Sequence, residues 1–200
     1  MNGKNDDGVL LCGIDEAGRG PLAGPVCAAA VILPNPIGIV FEDVLNDSKK
    51  LSGTAREKAR LVICREAVAW GIGWAQAVEI DEINILAASL LAMKRAFHAM
   101  NRDAPQAFDI RAIVDGLFVP DIPIPCEALV KADSSIHAVM AASILAKTAR
   151  DRLMEYYGLF YPEYGYERHK GYPTKAHREA IRIYGPSPIQ RMSFGKYLGK

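Results

Sequence analysis

Two hundred residues and a mass of 21.8 kDa match one domain with room for a small appendage, since folded units usually run about 100–200 residues. The chain is 50% hydrophobic and 24% charged, enough to bury an ordinary core, which excludes a disordered, collagen-like or low-complexity protein. Its best apolar run, Ala28 to Leu33, is far shorter than the ~18 residues of a membrane span. The polar start from Met1 to Gly8 reads as neither a secretory nor a transit signal. Cys12, Cys27, Cys64 and Cys126 stand far apart without a CxxC pair, so reduced core thiols in a cytoplasmic protein are expected rather than a zinc site or a disulfide framework.

Charge is unevenly spread. Residues 1–150 hold 15 Lys/Arg against 18 Asp/Glu, whereas residues 151–200 hold 9 against 5 together with all eight tyrosines. A basic, tyrosine-rich end beside an acid-bearing body fits an enzyme that acts on nucleic acid; a solvated basic tail fits the same numbers.

In chain order, Val9 to Ile14 reads as a buried strand stopped by Asp15-Glu16 and the turn former Gly18-Arg19-Gly20. Val26 to Leu33 reads as its antiparallel neighbour, ended by Pro34 and Pro36. Residues 34–50 lack periodicity and read as a long loop. Thr54-Ala55-Arg56-Glu57 has the capping-box pattern, and Leu61, Cys64 and Val68 continue an apolar stripe up to the breakers Gly71 and Gly73. Ile72, Trp74, Gln76 and Val78 alternate as a strand. Asp81 can cap a helix whose Ile85, Leu86, Ser89, Leu90, Met93 and Phe97 recur at helical spacing.

Short buried strands then fall at Ala112–Val114 and Ala128–Val130. An alanine-rich helix is expected from Ser134 to Tyr157, a loop with Pro162 and Gly165, a last helix from Thr174 to Tyr184, and an irregular tail after Gly185. Early hairpin strands followed by alternating helices and strands argue for an α/β fold, a mixed sheet with helices packed on it. Residues 9–155 form the expected core and residues 156–200 a helical segment too short to build much core of its own.

The chemistry-bearing pattern is acids where buried strands stop: Asp15 and Glu16, Asp115, and Asp133. Ionised acids beside buried strands repel one another and lose hydration, so clustering them calls for a compensating cation. Mg²⁺-type ions take a few carboxylates plus substrate phosphate, and a pair of them serves phosphoryl displacement. Taken singly, Asp115-Gly116 is also a common turn, Asp133 before Ser134 a plain helix cap, and Asp15-Glu16 a solvated strand exit. Adjacent strand residues face opposite sides, so Asp15 and Glu16 share a site only where the strand bends or ends.

The stretch Gly13-Ile14-Asp15-Glu16-Ala17-Gly18-Arg19-Gly20-Pro21-Leu22-Ala23-Gly24-Pro25-Val26 closely resembles the opening motif of bacterial ribonuclease HII. The resemblance continues in the same order through Asp47–Ser52, Val114-Asp115-Gly116, Lys131-Ala132-Asp133, Ala141–Lys147, His169–His177 and Ser187-Pro188, nearly the whole chain. It implies a ribonuclease H-like fold and an endonuclease that cuts the RNA strand of RNA–DNA hybrids. Cutting at single ribonucleotides embedded in duplex DNA, as in ribonucleotide excision, is implied too, with 3′-hydroxyl and 5′-phosphate ends. The implied catalytic and metal-binding residues are Asp15, Glu16, Asp115 and Asp133, serving two Mg²⁺ or Mn²⁺ ions.

Gly18, Arg19 and Gly20 match the backbone segment that meets the ribose 2′-hydroxyl, and Tyr172 the tyrosine that packs beside the ribonucleotide. Ser48, Lys49, Lys50, Lys147 and Lys170 match positions near the substrate backbone. The protein so implied is a cytoplasmic monomer whose partner is hybrid or ribonucleotide-containing duplex, with no membrane. Two departures stand out: Gln190 before Arg191 where the family commonly has histidine, and Pro173 where glycine often follows the tyrosine.

Other readings are weaker. His137, His169 and His177 lack a nucleophile motif or an HxxxH metal pair. Trp70, Trp74, Met93 and Met140 read as core. A silent hybrid-binding module predicts loss of an acid, and all four acids are present; an exonuclease needs a path for a free strand end.

Overall fold

A computed structural model describes residues 8–45, 52–105 and 109–197. β1 (Val9–Ala17) pairs antiparallel with β2 (Val26–Ile32), and β3 (Ala69–Ala75) pairs antiparallel with β2 on its other side. β4 (Asp109–Asp115) lies parallel to β1 and β5 (Cys126–Leu129) parallel to β4, giving the order β3-β2-β1-β4-β5. The sheet is mixed, as expected.

Several boundaries differ from the sequence reading. β1 does not stop at Ile14 but runs through both acids, because Asp15 and Glu16 stay in register with Ala29 and Ala28 of β2. Residues 39–45 of the supposed loop form α1 (Ile39–Leu45), anchored by Phe41 and Leu45 one turn apart and each 1% exposed. Two anchors are too few to register as a repeat. The cap of α2 (Gly53–Glu66) is Ser52, whose hydroxyl accepts from the Ala55 N–H at 3.2 Å; Glu57, assigned to the capping box, instead accepts from Arg60 and Arg152.

Gly71 and Gly73 lie inside β3 rather than ending a helix. A Cβ on either would collide with the backbone of α3 (Ala77–Asn101) near Ala92, Ala96 and Met100, so the glycines let helix and strand touch directly. Gln76 and Val78 leave the strand, and Gln76 caps α3, its N–H donating to Glu79 at 2.8 Å. Asp81 therefore sits within α3. Asn84 (φ 68°) breaks the winding there, and its side chain accepts from the N–H groups of Leu86 and Ala87, restarting the helix.

A 3₁₀ turn at Ala132–Ser134 precedes α4 (His137–Phe160), which crosses the 155/156 division. A 3₁₀ turn at Pro162–Tyr164 and α5 (Tyr166–His169) replace the loop before α6 (Lys175–Tyr184), which the Thr174 hydroxyl caps. The tail holds another 3₁₀ turn, Met192–Tyr197. Trp70 is 37% exposed on the edge strand, not core; its indole N–H donates to the Cys64 carbonyl.

The period of two along each strand divides the core. Val26, Ala28, Ala30 and Ile32 join Cys12, Ile14, Ala112 and Val114 in a layer under α3. Cys27, Ala29 and Val31 face α1, α2 and α4 with Phe41, Ile63, Ala142 and Leu145. A third cluster joins Leu22 and Ala23 to Met154 of α4 and to Tyr164, Tyr166 and Ile181 of the C-terminal segment.

Gly13 shares the α4 face, where a Cβ would overlap the Ala138–Val139 backbone. Gly13→Val should thus destabilise the fold by about 1–3 kcal/mol or more through overpacking. Gly53→Ala, with open space around it, should be neutral or slightly stabilising; urea unfolding of both variants checks the contrast.

Candidate active site

Strand parity brings the first acids together. In the parallel β1–β4 ladder Ile14 pairs with Val114 and both side chains lie under α3, so the next residues, Asp15 and Asp115, emerge side by side on the α4 face. Asp133 reaches the same place through the Ala132–Ser134 turn, entered from Lys131 in the left-handed conformation (φ 62°). The Ala132 N–H donates to Asp115 Oδ1 at 2.8 Å and ties that turn to the end of β4. One carboxylate oxygen from each of Asp15, Asp115 and Asp133 lies within 4.8 Å of the others.

Asp15 is only 6% exposed. Burial holds its carboxyl well above the usual carboxylate range and the charge of Glu16 adds to this; a hydrogen bond from Ser143 on α4 and the Glu16 N–H, 2.7 Å from Oδ1, work the other way. Glu16 stands apart from the cluster of three. Its Oε1 accepts from Arg19 at 3.2 Å, while its Oε2 is buried with no hydrogen-bond partner. Burial raises its pKa too, Arg19 opposes, and Asp115 adds to the rise. Such a site has the donor chemistry of a hard divalent cation: carboxylate oxygens in excess of the positive charge around them, one left unpaired.

Gly18 is buried, whereas Arg19 and Gly20 are exposed beside the acids. Gly18 needs to be glycine twice over: its φ is 96°, and a Cβ would overlap the Arg150 guanidinium. Arg150 is 1% exposed and donates to the carbonyls of Pro25 at 2.9 Å, Ala23 at 3.1 Å and Lys170 at 2.9 Å. No role was assigned to it from sequence. The available signal was its place in the buried series Ala142, Ala146, Arg150, Met154, four residues apart on α4. Ser143 falls inside the Ala141–Lys147 motif, which by itself gives it no role.

Tyr172 is 42% exposed. A Cβ on Gly20 would stand 3.8 Å from its ring, and Lys147 Nζ lies 5.9 Å from the ring centroid. Its carbonyl pairs with His177 Nδ1 at 3.0 Å. His177 stacks on His169 with centroids 4.6 Å apart, and burial lowers the pKa of both rings, so they pack as neutral groups. Lys147 is paired with Asp151 at 2.7 Å and Lys170 with Glu155 at 2.9 Å. Ser48, Lys49 and Lys50 lie outside the described residues. Gln190 donates to the Leu22 carbonyl at 2.7 Å, and Pro173 stands just before the α6 cap.

The family model described as Ribonuclease HII matches residues 12–197. The chain belongs to the ribonuclease HII family. Ribonuclease HII of Treponema denticola is 57% identical over 198 residues, which cover 92% of this chain and 98% of that protein. The solved ribonuclease H2 of Pyrococcus horikoshii aligns with a TM-score of 0.73 at 28% identity, over 94% of this chain and 97% of that one. Ribonuclease HII of Archaeoglobus fulgidus, solved in a complex with PCNA, aligns with a TM-score of 0.74 at 25% identity, over 95% and 97%. The sheet with its flanking helices is the ribonuclease H-like fold, and ribonuclease HII is a metal-dependent endoribonuclease. Among the described residues, no helix is long and apolar enough to cross a membrane.

The raised carboxyl pKa of Asp15 has a thermodynamic sign. The folded chain binds its proton more tightly than the unfolded chain does, so this contribution to stability is complete below the unfolded value near 3.8 and is lost as pH rises through the folded one. At neutral pH without divalent cation, Asp15→Asn should therefore stabilise the protein by on the order of 1 kcal/mol. The gain should vanish at acid pH; thermal melts across pH in a chelator check it.

Proposed function

We propose that this ribonuclease HII hydrolyses the RNA strand of RNA–DNA hybrids and cuts at single ribonucleotides embedded in duplex DNA, leaving 3′-hydroxyl and 5′-phosphate ends. One observation carries the reading: the convergence of Asp15, Asp115 and Asp133 within 4.8 Å, next to a glycine-flanked loop and an exposed tyrosine.

Asp15, Glu16, Asp115 and Asp133 would hold two Mg²⁺ or Mn²⁺ ions, which when bound supply a water of lowered pKa and neutralise charge on the leaving 3′ oxygen. The unpartnered Oε2 of Glu16 is the donor that supports a fourth carboxylate in the set. The Ser143 and Ala132 contacts fix where the Asp15 and Asp115 oxygens point, the task of groups behind a ligand shell. Gly18, Arg19 and Gly20 offer main-chain groups to the ribose 2′-hydroxyl, the atom that separates RNA from DNA.

The Tyr172 ring offers a flat face to the sugar or base at the junction. Ser48, Lys49, Lys50, Lys147 and Lys170 serve the phosphate backbone, which fixes register without reading bases. Residues 9–155 act as the catalytic core and residues 156–200 as the substrate-binding segment. The four unbridged cysteines accord with a monomer working in the reducing cytoplasm.

The decisive assay offers a DNA duplex containing one ribonucleotide, with and without Mg²⁺, and analyses the product ends; an uncut duplex or a 5′-hydroxyl end overturns the reading. Asp115→Asn should keep hybrid affinity while lowering turnover by more than the roughly 10–100-fold that loss of a supporting group costs. Tyr172→Ala should slow single-ribonucleotide cutting about tenfold, matching the about 1–3 kcal/mol of one stacking contact. Its melting temperature should barely move, since the ring is half exposed.

A further inference from the structure

Arg191 is fully buried, 0% exposed, yet no carboxylate pairs with it among the described residues. Its guanidinium is spent on backbone: Nε donates to the Gly24 carbonyl at 2.8 Å, Nη1 to the Arg19 carbonyl at 2.9 Å and Nη2 to the Gly18 carbonyl at 2.6 Å. Burial, and then the charge of Arg150, bring its pKa down to about 9, so it stays protonated at neutral pH. A buried cation needs its hydrogen bonds made, and three carbonyl dipoles make them here.

The consequence lies on the other side of the peptide planes. In a trans peptide the C=O of one residue and the N–H of the next point in opposite directions. With the Gly18 and Arg19 carbonyls drawn inward, the N–H groups of Arg19 and Gly20 are turned outward. Both residues are exposed, and neither N–H finds an acceptor among the described residues. Two consecutive free donors thus face outward on a loop whose Arg19 side chain meets Glu16 and whose Gly20 lies beside the Tyr172 ring.

We propose that Arg191 is a positioning residue for substrate recognition: by holding the Gly18 and Arg19 carbonyls it aims the Arg19 and Gly20 N–H groups at the ribonucleotide. The inference rests on the reading of that loop given above. It requires the fork of an arginine, because one ammonium group cannot span three carbonyls held in different directions.

Its neighbours keep the arrangement in place. The Arg191 N–H donates to the Leu22 carbonyl at 2.9 Å, the Gly24 N–H to the Ile189 carbonyl at 2.8 Å, and Asp81 accepts from the N–H groups of Met192 and Ser193 at 2.8 Å each. The tail is therefore clamped on both sides of Arg191, and a changed side chain acts on the loop before it releases the segment.

The test uses the full chain and a DNA duplex with one ribonucleotide. Arg191→Lys should lower kcat about 100-fold, the cost of misplacing a recognition group by an ångström or so, with the half-saturating Mg²⁺ concentration unchanged. Added guanidinium ion should recover part of the activity of Arg191→Ala. Met100→Ala, which empties part of the buried layer between α3 and β3 and touches no loop carbonyl, should lower the melting temperature and leave kcat alone.

Arg191→Lys activity within about threefold of wild type, or a loss that follows melting temperature alike in both variants, overturns the proposal. If Arg191→Ala does not fold, Arg191→Lys decides. Wild-type protein that leaves the duplex uncut overturns the underlying reading of the loop instead.

Discussion

Mutual repulsion of crowded carboxylates, one of them buried, is the constraint around which this molecule is arranged. Asp15, Asp115 and Asp133 stand at ligand-sharing distance, burial disfavours the charge on Asp15, and the chain spends its central strand pair and a dedicated turn on keeping them there. An ordinary fold would separate such groups. A ribonuclease HII cannot, because the same unfavourable crowding that weakens the empty site is what gives a divalent cation its purchase. Stability and function are opposed at these residues, and the opposition is met by the surrounding apolar layers under α3 and α4.

The loop beside the acids is built differently. The loop from Gly18 to Pro25 has no regular secondary structure over most of its length, and two buried guanidiniums stand in for it. Arg150 and Arg191 together bind the carbonyls of Gly18, Arg19, Ala23, Gly24, Pro25 and Lys170. Because Lys170 lies two residues before Tyr172, the same hub links the loop to the aromatic ring. Asp15 and Asp115 thus rest on a sheet, whereas the loop beside them rests on side-chain-to-backbone bonds.

Much of this was legible in the amino-acid sequence, and what was not has identifiable causes. Acids at the ends of β1 and β4 could be recognised because apolar runs stop there. Their convergence could not, since it depends on β1 lying beside β4, a pairing between segments a hundred residues apart that no local pattern encodes. Gly71 and Gly73 misled because glycine breaks helices in isolation, while in the folded chain it admits α3 to within contact of β3. Thr54 and Ser52 both suit a cap, and Glu57, which a box on Thr54 needs, is instead engaged by Arg60 within α2 and by Arg152 of α4. Arg150 and Arg191 were invisible for the plainest reason: arginine is ordinarily a surface residue, and nothing adjacent to either announces a buried partner.

The Arg191 contacts join the first eighth of the chain to the last tenth. Those with Gly18, Arg19 and Gly24 bridge sequence separations of 167 to 173 residues, among the longest a 200-residue protein permits. Translation delivers the catalytic strands early, and N-terminal elements fold first as they emerge. The three acids can therefore come together while the loop beside them still lacks its Arg191 hydrogen bonds. The shape of that loop is thus settled by a residue made long after the strands it adjoins.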